Sequence, residues 1–260
     1  MHRDPESGRA LAQRIIAHGS ERSWRHWECH GSHELFPTEP VGTGYWGHRL
    51  DLSPGYAALF AHFDESVRRA VRKAEKSGLT VEFSRELEAV RAFHQLLGLT
   101  RRRHGIPLQP FEFFRQIHRS ILAPGLGFVA LCRHESRPIA GAVFFLHGQA
   151  ALYKFGASDE RHQSLRGNNF VMARAIEKLT GDGYLTLDFG RTSLANEGLR
   201  HFKLSWATSE RLVSYLHFSY KRNGFEASAD RSTGRIQSWF RHAPVFLSRL
   251  VGRIIYKHIP

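Results

Sequence analysis

The chain has 260 residues, 42% of them hydrophobic, which suits one large or two small globular domains and excludes a disordered protein. The formal net charge of +13 favours anionic partners such as nucleic acid, phosphorylated precursors or an acidic membrane surface. Cys29 and Cys132 have no metal-ligand spacing, and no signal peptide or membrane-spanning run is evident. We therefore expect a cytoplasmic protein without a metal site, with peripheral contact at the inner face of the membrane left open.

In residues 1–63 the spacing of hydrophobic residues indicates secondary structure less clearly than in the rest of the chain. Residues 6–19 predict a short helix, and residues 20–50 support only short strands and loops. A second helix is predicted from Asp64 to Ser77, followed by Gly78, and basic residues surround its apolar stripe. A solvated helix surface is one interpretation of this charge, and capture of phosphate by guanidinium groups is the other. The basic residues are Arg68, Arg69, Arg72, Lys73 and Lys76.

Regular elements follow one another from residue 79 onward. The predicted strands are 79–83, 127–133, 138–147, 150–157, 185–189 and 211–220, and Gly156 is expected to end the fourth of them. The predicted helices are 86–103, 111–122, 168–180 and a short one after residue 193. This order indicates an α+β fold with a mixed, mostly antiparallel sheet flanked by helices.

The stretch from Tyr184 to Trp206 contains a dense group of charged side chains. Its strand is predicted to end at Gly190, and Ser193 is a candidate N-cap for the helix that follows. Three residues are expected to share the buried face of that helix: Leu199, Phe202 and Trp206. The charged and polar residues gathered at this junction are Asp188, Arg191, Asn196, Arg200 and Lys203.

Two interpretations of this junction are open. In one, Asp188 pairs with Arg191 or Arg200, and Lys203 is solvated as most surface charges are. In the other, the same groups face a ligand in the crevice beyond the ends of the strands. The Asp-Phe-Gly tripeptide does not indicate a kinase, because the other kinase motifs are absent.

The motifs DFGR, NEGL and FK at this junction resemble the second GNAT-like domain of the Fem-type aminoacyltransferases and the related BioF2-like acetyltransferase domains. Three upstream stretches match in the same order: RRAVRKAEKSGL from Arg68, HGIPLQPFEFF from His104 and GAVFFLHGQAALYKFGAS from Gly141. The resemblance covers residues 64–225 and implies a GNAT-like acyltransferase domain. Residues 1–63 then form an incomplete N-terminal lobe, and residues 226–260 form a linker and a C-terminal amphipathic helix.

The resemblance implies acyl transfer from an activated ester or thioester to an amine. In GNAT-like folds two central strands part and expose backbone N–H groups to the reacting carbonyl. The strands that contain Tyr153–Phe155 and Leu185–Phe189 are the candidates for this gap. No side-chain motif would reveal such a site.

The resemblance also assigns roles to side chains. Lys203 is the candidate for stabilising negative charge, because Phe202 and Lys203 match the family's functional phenylalanine and lysine. Asp188 either orients the amine or anchors an arginine, and Tyr153 is either a proton donor or a core tyrosine. The candidate substrate-binding residues are Phe202, Arg191, Asn196, Arg200, Arg68 and Arg72.

The donor is expected to bind near the loop that follows the predicted strand 150–157. In acetyl-CoA enzymes of the superfamily this loop resembles Gln/Arg-x-x-Gly-x-Gly/Ala, and its N–H groups hold a pyrophosphate. Side chains at its glycine positions hinder close backbone approach, which favours aminoacyl-tRNA or another acyl carrier, while one retained glycine leaves an acetyl-CoA or other CoA thioester donor open. The candidate donor-binding residues are Arg161, Gln163, Arg166, Gly167 and Asn168.

Three functions follow from these observations. The first is Fem-like transfer of an aminoacyl or acyl group to an amine of an anionic cell-envelope precursor, in peptidoglycan or polysaccharide synthesis. The second is CoA-dependent N-acetylation, and the third is an inactive GNAT-like module that binds nucleic acid or membrane through its charge. The amphipathic, basic segment 234–260 suits either an anionic leaflet or packing on the domain or a second subunit, so the oligomeric state is open.

Overall fold

The computed structural model describes residues 5–31 and 36–227. The predicted helix within residues 234–260 lies outside this range, and the predicted domain boundaries stay a prediction. The contacts divide the chain into two compact units. Unit 1 comprises the described residues up to Gly47 together with residues 191–200 and 210–227, and unit 2 comprises residues 48–190 and 201–209.

The described residues form seven α-helices, a π-helical turn (His118–Leu122) that continues the fifth of them, a 3₁₀ turn (Glu160–Leu165) and nine strands. The helices are α1 (Pro5–Glu21), α2 (Tyr56–His62), α3 (Glu65–Lys76), α4 (Leu87–His104), α5 (Phe111–Ile117), α6 (Gly167–Gly181) and α7 (Glu197–Leu204). The strands are β1 (His26–His30), β2 (Thr43–Asp51), β3 (Thr80–Ser84), β4 (Gly127–His134), β5 (Arg137–His147), β6 (Ala150–Ser158), β7 (Thr186–Ser193), β8 (Ser209–Ser219) and β9 (Gly224–Phe225). Within the described ranges, no helix combines the length and the apolar character needed to cross a membrane.

Each unit has its own sheet arrangement. In unit 1 the strand order is β1-β8-β2, and both β1 and β9 run antiparallel to β8. In unit 2 the order is β2-β7-β6-β5-β4-β3, with antiparallel pairing from β3 to β6 and parallel pairing of β6 with β7. The predicted mixed, mostly antiparallel α+β fold is thereby confirmed. We did not predict α2 or the length of β2.

Helices cover both faces of the unit 2 sheet. In β4, Phe128 and Ala130 belong to the apolar cluster that includes α3 and α6, whereas Val129 and Leu131 belong to the cluster that includes α4 and α5. Alternate residues of a strand point to opposite faces, so the two helix pairs lie on opposite sides of the sheet. The apolar faces predicted for α3, α4 and α6 are the buried ones.

A β-bulge in β6 exchanges the two faces of that strand. Val143 pairs with Phe155 and Phe144 with Tyr153, so Lys154 between them is the extra residue. As a result Tyr153 lies in the α3–α6 cluster, while Phe155 lies in the α4–α5 cluster. Sequence alternation alone cannot show this exchange, because it depends on the register with β5.

Gly156 does not end this strand, which continues to Ser158, so that prediction was wrong. A Cβ atom at Gly156 would come 1.8 Å from the hydroxyl oxygen of Tyr153. Glycine is therefore required here by the close approach of the tyrosine, not by a turn.

The junction after β7 also differs from the prediction. Gly190 has φ 70° and bends the chain, yet β7 continues to Ser193, because a left-handed glycine accommodates a bend without ending the strand. The residue that caps α7 is Asn196 and not Ser193, since its Oδ1 accepts a hydrogen bond from the Leu199 N–H at 3.1 Å. The predicted helix start was thus a few residues too early.

The buried face of α7 was predicted incorrectly. Leu199 is 37% exposed, whereas Lys203 is only 3% exposed. Trp206 is fully buried, as predicted, but it lies beyond the end of α7 at Leu204. The seven-residue spacing from Leu199 to Trp206 therefore does not define one face of a helix.

Replacing Gly156 with alanine should test the packing of Tyr153 on β6. We expect the added methyl group to displace the ring and to lower the free energy of unfolding by about 1–3 kcal/mol, as overpacking usually does. The double variant Tyr153→Phe/Gly156→Ala should recover part of this loss, because it lacks the hydroxyl. Urea denaturation measures both.

The matched control is Gly181→Ala near the end of α6, where an added Cβ meets no atom within 4 Å. This change should leave stability equal or slightly higher. Equal stability of the Gly156→Ala variant and the native chain would contradict the assigned contact.

Candidate active site

The strands β6 and β7 part in the middle of unit 2. Their parallel ladder has three residue pairs, and the last of them joins Leu152 to Asp188. No pair follows, although β6 continues to Ser158 and β7 to Ser193. The parting lies where we predicted it. Strands that diverge leave main-chain groups without ladder partners, and such groups can bind a carbonyl oxygen.

The peptide groups around Gly190 are held by two charged side chains at this parting. Asp188 Oδ1 accepts a hydrogen bond from the Gly190 N–H at 2.6 Å. Lys203 Nζ donates to the Gly190 carbonyl oxygen at 3.0 Å. The Tyr153 carbonyl oxygen of β6 would lie 3.8 Å from a Cβ at Gly190. Asp188 and Lys203 are thus brought together beside the gap, in fixed positions.

Burial sets the charge state of Lys203. The residue is 3% exposed, and burial lowers the pKa of its amine to about 8, against the opposing attraction of Asp188. The interpretation in which Lys203 is solvated is therefore wrong. At neutral pH the ammonium form still dominates, and a positive charge with little water around it stabilises nearby negative charge strongly.

Tyr153 lies among aromatic rings on the α3–α6 side of the gap. Its ring centroid is 5.6 Å from that of Phe144 and 6.1 Å from that of Phe189. Burial raises the pKa of its hydroxyl to about 12. The hydroxyl is therefore protonated throughout the physiological range and can act as a hydrogen-bond donor. Its role as a proton donor in catalysis stays a prediction.

The turn after α7 is anchored by contacts that we did not predict. The Trp206 ring lies 5.0 Å from that of Phe63 and 6.2 Å from that of Phe202. The Asp64 N–H donates to the Ser205 carbonyl at 2.9 Å, which joins the start of α3 to the end of α7. These contacts place Phe202 beside a buried tryptophan and fix the backbone from which Lys203 projects.

Two of the predicted arginines have partners within unit 1. Arg200 donates to both carboxylate oxygens of Glu210 at 2.9 Å, so its guanidinium is engaged in a bidentate pair. The guanidinium groups of Arg191 and Arg200 also lie over aromatic rings, 5.1 Å and 4.5 Å from the centroids. These rings are Tyr45 and Tyr215 for Arg191, and Trp46 for Arg200.

The basic surface of α3 contains the other two predicted arginines. Arg72 is exposed, with its guanidinium 5.9 Å from the Phe60 ring centroid. The Nε atom of Arg68 is buried and has no hydrogen-bond partner among the described residues. Neither arginine forms an ion pair with a carboxylate in residues 5–31 or 36–227. Their role in substrate binding stays a prediction.

The predicted donor loop is organised by a carboxylate that we did not single out. Asp159 is 4% exposed and accepts hydrogen bonds from Arg161 Nε at 2.9 Å and Nη2 at 2.6 Å. The Arg137 guanidinium and the His162 ring lie 3.7 Å and 3.5 Å from the same carboxylate. The bonds from Arg161 hold the pKa of Asp159 at about 2. Arg161 is therefore engaged within the loop.

The other predicted donor-binding residues differ in conformation, packing and exposure. Arg166 has φ 63°, a left-handed conformation that glycine adopts more easily. A Cβ at Gly167 would come 3.1 Å from the Ala140 Cβ, so this glycine allows α6 to approach β5. Asn168 Nδ2 donates to the Ser158 hydroxyl at 3.1 Å. Gln163 is exposed.

Comparison with known proteins identifies the fold. A family model described as an acetyltransferase (GNAT) domain matches residues 61–204, which is more than half of the chain. The chain belongs to the GNAT family. It is therefore an acyltransferase, and the resemblance seen in its motifs is confirmed at this level. No curated protein matches the chain.

Solved structures agree on the GNAT fold. FemX is 17% identical, with a TM-score of 0.59 over 65% of this chain and 61% of FemX. A conserved protein of unknown function from Bacteroides thetaiotaomicron is 13% identical, with a TM-score of 0.57 over 80% of this chain and 74% of that one. A tandem GNAT protein from the clavulanic acid biosynthesis pathway is 11% identical, with a TM-score of 0.51 over 84% and 71%. These low identities show the fold alone, and the chain spans only 61% of FemX.

The GNAT fold implies an acyl-CoA donor, and this chain retains only part of the expected diphosphate cradle. The N–H groups of Arg161 and His162 donate to Asp159, and that of Arg166 donates to the Gln163 carbonyl. The first turn of α6 still presents main-chain N–H groups and the positive end of the helix dipole. A phosphate therefore fits the start of α6, but the loop before it offers fewer free donors.

Replacing Asp188 with asparagine should separate charge from hydrogen bonding at Gly190. Asparagine keeps an acceptor for the Gly190 N–H but removes the negative charge that favours the Lys203 ammonium. We expect the pKa of Lys203 to fall further below about 8. NMR titration of isotope-labelled lysine side chains measures it, with the Lys203 signal assigned by its loss in Lys203→Met.

The control is Asp182→Asn, which removes the partner of Lys178 at 2.9 Å on α6. This change should leave the Lys203 titration unaltered. The assigned coupling is refuted if Lys203 titrates identically in the native chain and in Asp188→Asn.

Proposed function

We propose that this GNAT domain transfers an aminoacyl or acyl group to an amine of an anionic cell-envelope precursor, as the Fem-type enzymes that its motifs resemble do. One observation carries the proposal: a buried lysine, bonded to Gly190, stands where β6 and β7 part. The FemX-like fold and the net charge of +13 support an anionic acceptor.

In this proposal the reacting carbonyl lies in the gap between β6 and β7. The acceptor amine attacks the carbonyl carbon, and the oxygen gains negative charge as the tetrahedral intermediate forms. Main-chain N–H groups at the gap and the Lys203 ammonium stabilise that charge. Asp188 holds the Gly190 peptide and favours the charged lysine. When the intermediate collapses, the attacking nitrogen loses a proton and the departing oxygen or sulfur gains one. Tyr153 is the candidate donor to the leaving group, and the proton released by the amine restores its hydroxyl.

The donor that fits best is an aminoacyl-tRNA or a similar carrier. Three N–H groups of the donor loop are occupied by internal hydrogen bonds, and Arg166 and Asn168 stand at the positions where glycine allows close backbone approach. CoA-dependent N-acetylation is the second candidate, and the family match and the free first turn of α6 favour it. Contact with the inner membrane stays a prediction, because its predicted helix lies outside the described residues.

Changes at Lys203 test the proposed chemistry. Transfer to an envelope amine should fall roughly 100-fold or more in Lys203→Ala, as when an oxyanion-stabilising group is removed. In the native chain Lys203 should increase kcat/KM at pH values below about 8. This increase should decline above that pH, because the amine loses its proton there. Lys203→Arg should retain this contribution at higher pH. The pH profile of kcat/KM measures both effects.

The control is Lys221→Ala, which removes an exposed lysine of unit 1. It should leave transfer unchanged, and circular dichroism should show that all three variants are folded. Undiminished turnover in a folded Lys203→Ala variant would remove Lys203 from the mechanism. A native chain that shows no transfer, only salt-dependent nucleic acid binding, would favour the inactive binding module.

Isothermal titration calorimetry can show whether the chain binds acetyl-CoA or aminoacyl-tRNA. We expect acetyl-CoA not to bind in the micromolar range, because the loop lacks part of the N–H cradle, and we expect aminoacyl-tRNA to bind. Uncharged tRNA controls for contacts with the RNA alone. Micromolar binding of acetyl-CoA that is weakened by Asn168→Asp, which adds a negative charge at an exposed position in the first turn of α6, would instead establish the CoA-dependent alternative.

A further inference from the structure

One face of the unit 1 sheet presents a row of imidazole and phenol rings. Alternate residues of a strand share a face, so the register of β1 with β8 shows which side chains lie together. The residues of this surface, the histidine face, are His26, Glu28 and His30 on β1 and Tyr215, His217 and Ser219 on β8. The three β1 residues are exposed. A ligand can therefore reach the rings along β1, at the edge of the sheet.

The rings of the histidine face are stacked in pairs. The His30 ring lies almost parallel to the Tyr215 ring, with an interplanar angle of 6° and 3.8 Å between centroids. The His26 ring lies on the His217 ring in the same way, at 22° and 5.3 Å. Tyr215 is only 7% exposed, whereas the His30 side chain is 57% exposed. Each exposed histidine is thus supported by a less exposed ring on one side and accessible on the other.

Two arginines add positive charge to the histidine face. The Arg191 guanidinium lies 5.1 Å from the ring centroids of both Tyr45 and Tyr215. Arg211 shares the face of Tyr215 by alternation along β8, and its side chain passes close to Gly47 of β2. Arg211 is exposed, and among the residues that the structure describes no carboxylate lies within ion-pair distance of it. An anionic ligand therefore meets positive charge beside the stacked rings.

The opposite face of the same strands forms the core of unit 1. Leu216 and Phe218 of β8 are 0% and 6% exposed. The Phe218 ring lies 5.1 Å from that of Tyr220, and a Cβ at Gly19 of α1 would overlap the Tyr220 hydroxyl. The helix α1 therefore lies on the Phe218 side of the sheet. Core packing accounts for the rings on that side, but it does not account for the exposed histidines.

We propose that the histidine face binds unpaired bases of a single-stranded nucleic acid. Histidine and tyrosine rings and guanidinium planes are the groups on which proteins stack unpaired bases. A base placed on the outer side of His30 or His26 extends a stack that the fold has already built. The two histidines are about 13 Å apart along β1, and Arg211 is about 20 Å from His217 along β8. This length suits several nucleotides better than a single one.

Other ligand classes fit the histidine face less well. A double strand keeps its bases stacked inside, so it offers none to the histidine rings. A neutral oligosaccharide stacks on aromatic rings but gains nothing from the charge of Arg191 and Arg211. The proposal concerns unit 1 alone and requires neither a catalytic Lys203 nor a particular acyl donor. It and the proposed transfer reaction can therefore fail separately.

The test is fluorescence anisotropy of the full chain with a labelled single-stranded RNA of about eight nucleotides, at fixed ionic strength. We expect His26→Ala/His30→Ala to weaken binding at least about tenfold, because two stacking surfaces are lost. His26→Phe/His30→Phe should retain most of the affinity, since it keeps a ring at both positions. Glu28→Gln should tighten binding, because it removes a negative charge from the same face.

The matched control is His62→Ala/His147→Ala, which removes two exposed histidines of unit 2. An equal loss of affinity in this control, or equal affinity in the native chain and His26→Ala/His30→Ala, would overturn the proposal. A phenylalanine variant as weak as the alanine variant would refute stacking, and equally tight binding of a blunt RNA duplex would refute recognition of unpaired bases. Binding of a neutral oligosaccharide without binding of the RNA would assign the face to carbohydrate instead.

Discussion

The candidate active site depends on how the two peptide groups of Gly190 are held. Its N–H is bonded to Asp188 and its carbonyl to Lys203, so one residue joins an acid from β7 to a base from α7. Burying an ammonium group is costly, and this cost is why the pKa of Lys203 falls towards neutrality. The carbonyl bond and the nearby carboxylate offset part of it. Because glycine accepts φ 70°, the bend that makes both bonds possible adds no steric strain.

The strand β6 provides the other side of the site through two departures from regular pairing. Its ladder with β7 stops at Leu152, and its ladder with β5 gains an extra residue at Lys154. Bulges are common beside active sites because they redirect side chains. Here the bulge turns Phe155 to the α4–α5 face, while Tyr153 stays on the α3–α6 face, over Gly156. The gap and the packing around it thus arise from adjacent irregularities of one strand.

Much of the fold could be predicted because it follows from local pattern. The buried stripes of α3 and α6 and the alternation in β4 depend on residues close in sequence. The bulge at Lys154 and the cap at Asn196 could not be predicted, since both depend on contacts or geometry that periodicity does not encode. Lys203 was found by resemblance to a family motif, whereas helical spacing alone placed it on a solvated face. Asp159 went unnoticed because a single aspartate carries no sequence signal.

The arginines show why net charge alone cannot locate a binding site. Arg161 and Arg200 were both predicted to bind ligands, and each has a carboxylate partner, Asp159 or Glu210. Arg102 and Arg103 lie in the last turn of α4, where cations suit the helix dipole, and no carboxylate of the described chain pairs with them. A phosphate must compete with an existing partner at the first pair, but meets unneutralised charge at the second. Whether an arginine has a carboxylate partner is therefore decided by contacts that only the folded chain reveals.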